Sequence, residues 1–331
     1  MRSRALGLAS TGAWSELCAL LSSDGVGDAP PPELANLRAE ALLRSGRPIE
    51  AREWLAASLP VVEHRGDPAA LRQAVNLLGA ANFETGNLNE AEIAFERALE
   101  LGRRDSDDLL VARATNNLGA IANVRGDRER ALAMYALAVA ACQRLGHARG
   151  LAAAYHNMGI TFRHIGLLER ADEHERRAIE YALDADNAHL LWLARIGRAE
   201  ISLMNGDARL AEATAVRVAK EFEAQSDPIQ RANALRVVGA ARLALGGAAG
   251  AHDALGEALA LARSQGAALG EAEVLRTQAE LYAWEGNRSA ACEVAASAVR
   301  IFEKLDARED RDRLERWLAA LDNARSPAQD E

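Results

Sequence analysis

The chain has 331 residues, of which 49% are hydrophobic but only 4% aromatic, so aliphatic side chains must build most of its core. Its formal net charge is −9 and it has no basic block, which argues against nucleic-acid binding, because that depends on neutralising phosphates. No run of eighteen apolar residues occurs, so we expect no membrane span and predict a cytoplasmic protein. Arginine supplies all the positive charge except Lys220 and Lys304, a balance typical of a GC-rich bacterial genome.

The first 30 residues predict a short helical hairpin followed by a loop. Gly12 separates residues 2–11 from an apolar stretch at 14–21, and it lies 34 residues before Gly46. Residues 22–32 read as a loop, because Pro31 and Pro32 interrupt any helix that would continue through them. We therefore assign residues 1–30 to a short N-terminal repeat and its connecting loop.

A period of forty residues dominates the rest of the chain. Seven glycines mark it, and an alanine follows each of them after five residues: Gly46, Gly86, Gly126, Gly166, Gly206, Gly246 and Gly286, with Ala51, Ala91, Ala131, Ala171, Ala211, Ala251 and Ala291. A fixed period of this size indicates one supersecondary unit per repeat. Because alanine is the best helix former, we predict seven helical units over residues 31–305.

Each unit predicts two helices joined at its glycine. In residues 111–144 the first helix runs to residue 124, and Gly126 provides the left-handed conformation that ends it. Asp127 then caps the second helix, and three other units have an equivalent residue: Asn87, Asp207 and Asn287. Asn87 and Glu90 have the spacing of a capping box. We expect the small residues Gly119 and Ala131 to meet where the two helices cross.

The predicted links between units, and the end of the chain, are polar. The links lie at residues 105–107, 146, 184–186 and 226–228. Residues 306–322 predict a C-terminal capping helix with one apolar stripe, formed by Leu314, Trp317, Leu318 and Leu321. Residues 323–331 predict a disordered tail.

Two stretches carry a family resemblance. NLLGAANFETGNLNEAEIAFERALE (76–100) and NNLGAIANVRGDRERALAMYALAVA (116–140) resemble the tetratricopeptide repeat in their Leu-Gly, turn glycine, alanine and aromatic positions. That repeat usually has 34 residues, and the forty-residue period is more like kinesin light chains, spindle-orientation adaptors and bacterial maltose-regulator-type proteins. The resemblance implies an all-α, right-handed superhelix of antiparallel helix pairs, with about seven full repeats. It is weakest where Arg38, Arg198 and Gln278 replace the usual leucine.

The first helix of each unit is expected to line the concave face of such a superhelix. Asn36, Asn76 and Asn116 occupy the same place in three consecutive units. An amide carries a donor and an acceptor, and the resemblance implies that asparagines of this helix bind the backbone of an extended peptide. The candidate peptide-binding residues are Asn36, Asn76, Phe83, Arg113, Asn116, Asn117, Asn123, His156, Asn157 and Arg163. Alternatively, the asparagines bind the neighbouring repeat.

No pattern predicts catalysis, a metal or a cofactor. His174-Glu175 resembles the start of HExxH, but Ala178 stands where the second histidine is needed, and we expect His174 to be solvated. Cys18, Cys142 and Cys292 are too far apart in sequence for a metal motif and predict reduced core residues. We therefore expect a protein that is not an enzyme.

Three functions fit these observations. The leading one is an interaction scaffold that binds a peptide or protein segment in its concave groove. The alternative is a ligand-responsive bacterial regulator, in which a peptide or small molecule changes the superhelix, although the chain reads as a complete unit without an effector domain. The third is a structural part that assembles with copies of itself. A chaperone-tail clamp is excluded, because Ala80, Ala120 and Ile160 stand where it needs asparagine. The partner and the oligomeric state stay open.

Overall fold

The computed structural model describes residues 1–22 and 30–323, and over these ranges it contains seventeen α-helices and no strand. In chain order they are α1 Arg2–Thr11, α2 Trp14–Leu20, α3 Pro32–Arg44, α4 Pro48–Arg65, α5 Pro68–Glu84, α6 Leu88–Arg104, α7 Asp108–Val124, α8 Arg128–Leu145, α9 Ala148–Ile165, α10 Leu168–Asp184, α11 Ala188–Met204, α12 Ala208–Ala224, α13 Pro228–Ala244, α14 Ala248–Ser264, α15 Ala268–Trp284, α16 Arg288–Lys304 and α17 Arg308–Asn323. Most of the predicted loop at 22–32 and of the predicted tail at 323–331 lies outside the described residues.

Helices α3 to α16 form seven antiparallel pairs, which confirms the predicted all-α solenoid. Before them, α1 and α2 bury Ala5 and Leu17 against Leu34 and Leu37 of α3. After them, α17 buries Leu314 in a cluster that includes Phe302 of α16, and Trp317 and Leu318 pack against the same cluster. None of the helices that the structure describes is long and apolar enough to cross a membrane.

All seven predicted turn glycines adopt the left-handed conformation, with φ between 64° and 88°. At Gly126 the turn is a Schellman motif: the Gly126 amide donates to the Asn123 carbonyl at 3.1 Å, and the Asp127 amide donates to the Ala122 carbonyl at 2.9 Å. The glycine prediction is therefore confirmed, and its cause is the positive φ, which costs other residues energy.

A second set of left-handed turns joins one pair to the next, which the glycine pattern did not reveal. It also repeats every forty residues and falls midway between the turn glycines: Gly66, Ser106, Gly146, Asp186, Ser226, Gly266 and Asp306. Four of these seven residues are not glycine, so the period is hidden in the sequence. The backbone itself repeats every twenty residues.

The predicted N-caps are confirmed at three of four turns. Asp127, Asp207 and Asn287 each accept a hydrogen bond from the backbone amide three residues later, at 3.1–3.2 Å. The prediction for Asn87 was wrong: its amide donates to the Thr85 hydroxyl at 2.8 Å, and its side chain caps no amide. Because Thr85 offers this acceptor inside the turn, no capping box forms there.

The partner predicted for the small residues of the first helices was also wrong. A Cβ atom added to Gly119 would lie 2.7 Å from the ring of Tyr135, and one added to Gly79 would lie 2.6 Å from Phe95. At Gly239 the nearest atom is Leu255 Cγ, at 2.5 Å. Each glycine therefore accommodates a large side chain nine residues after the turn glycine, and does not meet the alanine at five.

The solenoid closes on itself, because its first three turns contact its last units. The turn at Gly46 abuts Pro228 at the start of α13. The turn at Gly86 abuts Ala268 of α15 and Leu305, the residue that follows α16. A 2.7 Å ion pair between Arg128 and Glu309 then joins the third turn to α17. The first helices of units one to six consequently surround a central space.

Candidate functional site

A cavity of about 560 Å³ lies inside this closed arrangement. It is walled by the first helices α3, α5, α7 and α9 and by the starts of α11 and α13. Small side chains on these helices keep the space open: Ala69, Ala80, Ala112 and Ala153. The volume falls within the range of about 300–1,000 Å³ that is usual for ligand pockets.

Four of the ten predicted site residues line the cavity: Asn76, Arg113, Asn116 and Asn117. Asn76 Oδ1 is buried and has no hydrogen-bond partner. Asn116 Oδ1 accepts a hydrogen bond from Asn157 Nδ2 at 3.1 Å, so Asn157 orients the Asn116 amide from the next unit. The remaining donors of the Asn116 amide are then available to a ligand.

Asn36 and Phe83 make contacts inside the protein. Asn36 has no exposed surface, and its amide donates to the Ala70 carbonyl of the next unit at 2.8 Å. Phe83 packs against the cluster around Leu305, where the solenoid closes. In this structure Asn36 therefore binds the neighbouring repeat, and Phe83 belongs to the closing contact.

Asn123, His156 and Arg163 also bridge neighbouring helices. Asn123 Oδ1 accepts from the Thr161 hydroxyl at 2.8 Å, and His156 Nδ1 lies 2.9 Å from the fully buried Glu175 carboxylate. Arg163 forms an ion pair with Glu200, and burial lowers the pKa of Arg163 to about 10. These three residues link α7 to α9, α9 to α10 and α9 to α11 in turn.

The ion pair of Arg163 belongs to a chain of charges along the inner face. Glu200 also pairs with Arg236, whose Nε lies 3.6 Å from Glu273. The four residues come from four successive first helices, α9, α11, α13 and α15. Because each charge has an opposite neighbour, this half of the inner face is held closed by its own side chains.

The charge on the cavity wall is distributed differently. Arg72 is bound to Asp105 at 2.6 Å and to Asp107 at 3.2 Å. Arg113 and Arg149 also line the cavity, but neither has a hydrogen bond or an ion pair with any residue that the structure describes. Sequence reasoning missed Arg149, because it lies at the start of α9, one turn before the predicted concave stripe.

The opposite wall carries two carboxyl groups from units that are distant in sequence. Burial raises the pKa of Glu84 to about 7, and the nearby charge of Asp227 raises it further. Burial also raises the pKa of Asp227 to about 6. His189 Nδ1 lies 3.6 Å from Asp227, and burial lowers the pKa of this histidine to about 4. No sequence pattern could find this group, because the closure of the solenoid creates it.

The described residues contain no group of three His, Cys, Asp or Glu side chains that could hold a metal ion. The expectation of a solvated His174 was wrong: 8% of this residue is exposed, and its Nδ1 lies 2.7 Å from the Arg170 carbonyl. The aromatic ring of Phe162, with its centroid 4.8 Å away, covers it. Cys142 is buried beside the cavity, and Cys18 and Cys292 are partly buried.

Comparison with protein families gives one match. The family model of the tetratricopeptide repeat matches residues 32–104 and 110–184, which correspond to the first four units. Among curated proteins, none matches the chain.

Several solved structures share the fold at low sequence identity. A Rap protein complexed with Competence and Sporulation Factor is 13% identical with a TM-score of 0.63, and the match covers 97% of this chain and 96% of that one. NprR in complex with its cognate peptide NprX is 14% identical with a TM-score of 0.54, covering 76% and 75%. The APC/C hetero-tetramer Cut9-Hcn1 is 16% identical with a TM-score of 0.62, covering 94% and 54%.

Proposed function

Because this chain is a tetratricopeptide-repeat protein, we propose that it is a non-catalytic interaction scaffold that binds a peptide or protein segment in its central cavity. The observation that carries the proposal is that Asn76, Arg113, Asn116 and Asn117 line one cavity of ligand size. The similar fold of NprR, which was solved with its cognate peptide, supports a peptide as the ligand.

The two asparagines of the cavity offer complementary groups to a peptide backbone. Asn76 Oδ1 has no donor, so it can accept from a ligand N–H. Asn116 already accepts from Asn157, so its own amide can donate to a ligand carbonyl. Because packed helices hold these groups in place, the ligand bears most of the ordering cost on binding.

Affinity capture followed by measurement on the purified partner tests this function. The chain is immobilised in wild-type form and as the Asn76→Ala/Asn116→Ala/Asn157→Ala variant, with the exposed Asn205→Ala as the matched control. A captured partner is then reduced to its binding segment, and its affinity is measured by calorimetry. We expect the triple variant to bind that segment at least about tenfold more weakly, since each lost hydrogen bond contributes roughly 0.5–1.5 kcal/mol. Equal affinity for all three proteins would exclude the cavity as the binding site.

The alternative, a ligand-responsive regulatory protein, is favoured by the closure of the solenoid. Glu40 and Arg44 of the first unit and Asp227 of the sixth share the cavity wall, so one ligand would contact both sides of the closing seam. A ligand that binds the closed form better than the open form shifts the population toward it. Small-angle scattering with and without the captured segment tests this: a change in radius supports regulation, and a constant radius supports a static scaffold.

A further inference from the structure

The cavity holds positive charge that no described residue neutralises. Arg113 on α7 and Arg149 on α9 belong to adjacent first helices and line the same wall. The charge of Arg113 contributes to a lowered pKa of His147, and that of Arg149 contributes to the lowered pKa of His189, with burial the larger cause in both. Both imidazoles are therefore neutral at pH 7, and the two guanidinium groups are the cations of this wall.

The other arginines of the predicted concave stripe differ from Arg113, because each has a carboxylate. Arg163 pairs with Glu200, Arg236 pairs with Glu200 and Glu273, and Arg276 pairs with Asp310 at 3.2 Å. An arginine on the inner face is thus compensated except where the wall opens into the cavity.

The carboxylates on the cavity wall do not replace the missing partners. Asp107 is bound to Arg72, and Asp227 accepts from the Gln230 backbone amide at 3.0 Å. Glu84 and Glu40 come from α5 and α3, and neither forms an ion pair with Arg113 or Arg149. The wall is therefore arranged for an anion that comes from a ligand.

The size of the cavity limits what that ligand can be. A helical peptide about 10 Å across that rises 1.5 Å per residue fills roughly 120 Å³ per residue, so 560 Å³ holds about four or five residues. A peptide of that length ends within the cavity. Its terminal carboxylate is then an anion that every such peptide carries, whatever its sequence.

We infer that Arg113 and Arg149 bind the carboxylate of a short peptide, about four or five residues long, whose backbone contacts Asn76 and Asn116. This inference rests on the proposed function and specifies its ligand. Guanidinium–carboxylate hydrogen bonds are charge-assisted and about twice as strong as neutral ones. We expect removal of the ligand charge to weaken binding roughly tenfold to a hundredfold.

The test uses two randomised pentapeptide libraries, one with free C-terminal carboxylates and one with C-terminal amides. Peptides retained by the whole protein are identified by mass spectrometry, and the best one is then compared as acid and amide by calorimetry. The proteins are wild type, Arg113→Gln/Arg149→Gln, and Arg103→Gln/Arg209→Gln, which removes two arginines outside the cavity. Thermal melting confirms that all three are folded.

The expected result is that wild type and the control bind the acid at least about tenfold better than the amide, whereas the cavity variant binds both alike. Retention from the amide library of peptides that share an Asp or Glu, again only with Arg113 and Arg149 present, places the same carboxylate on a side chain and supports the inference. Equal binding of acid and amide by wild type overturns it, and the proposed function then survives if Asn76→Ala/Asn116→Ala still weakens binding. If neither library yields a bound peptide, a short ligand is excluded, and only a longer captured segment would preserve the proposed function.

Discussion

At the scale of single residues, the crossing of each helix pair depends on a missing side chain. Gly119 leaves room for the Tyr135 ring, which is almost fully buried, and Gly79 leaves room for Phe95 in the same way. A large side chain on the second helix thus compensates for a glycine in the middle of the first. The pair is a fitted contact of unequal partners, so a change on one side alone should be costly.

We predict that Gly119→Ala destabilises the protein by about 1–3 kcal/mol, because the new methyl group would overlap the Tyr135 ring. Thermal or urea unfolding measures the change. The control is Gly256→Ala in α14, where an added Cβ meets no atom within 4 Å. That substitution should stabilise by roughly 0.5–1 kcal/mol, since alanine favours the helix. Gly119→Ala/Tyr135→Leu should recover part of the loss, and no recovery would mean that Tyr135 is not the contact that matters.

At the scale of helices and turns, the links between units are less favourable than the turns within them. Every turn inside a pair has glycine at the left-handed residue, whereas Ser106, Asp186, Ser226 and Asp306 adopt positive φ with a side chain. A left-handed conformation costs such a residue roughly 1–2 kcal/mol. The links are therefore the places where the backbone can be improved without changing any packing.

We predict that Ser106→Gly stabilises the protein by about 0.5–1 kcal/mol, because glycine adopts the φ of 55° found there without steric cost. Ser106 is exposed, so the change removes little else. Ser106→Ala is the matched control and should give no gain, because alanine keeps the Cβ that causes the cost. The unfolding midpoints of the two variants decide the matter, and a gain in both would trace the effect to the hydroxyl group.

At the scale of the whole molecule, closure brings Glu84 of the second unit near Asp227 of the sixth. Burial raises the pKa of Glu84 from an ordinary 4.5 to about 7, so between these values the folded state holds a proton that the unfolded chain has released. Stability linked to Glu84 is therefore greatest below pH 4.5 and is lost as the pH rises through 7.

We predict that Glu84→Gln is more stable than wild type at pH 8, by on the order of 1–3 kcal/mol, and about equal to it at pH 4.5. The measurement is the free energy of unfolding at a series of pH values. Because the other buried carboxyl groups are present in both proteins, the difference isolates Glu84. Glu96→Gln, on an exposed surface of α6, should show no such pH-dependent difference. A difference for Glu84→Gln that stays constant from pH 4.5 to 8 would contradict the prediction.

The turn residues and the helix pairs could be predicted from the sequence, because both depend on contacts within forty residues. Gly126 and Asp127 are examples: one needs a positive φ, the other an amide to cap, and neither depends on distant units. The resemblance to the tetratricopeptide repeat extended this to the whole array, and the fold confirms it.

The cavity could be predicted only in part, because its wall depends on how seven small rotations add up. Asn76 and Asn116 were found since they repeat on one helix face, but Asp227 and His189 reach the cavity only through the closure. The partner of Gly119 was missed for a different reason. The pattern shows which positions are small, but it does not show which large side chain fills the space.

The contact between Gly46 and Pro228 has a consequence for the number of units. In an open solenoid, a unit can be added or lost while every surviving interface is kept, so length can vary freely. Here the first turn meets a residue 182 positions away, and deleting any forty-residue unit between them would preserve each local junction but misalign the two edges. The inner chamber would then be lost although every remaining helix pair was intact. The number of repeats in this protein is thus a shape-determining quantity, comparable to the number of staves that lets a barrel close.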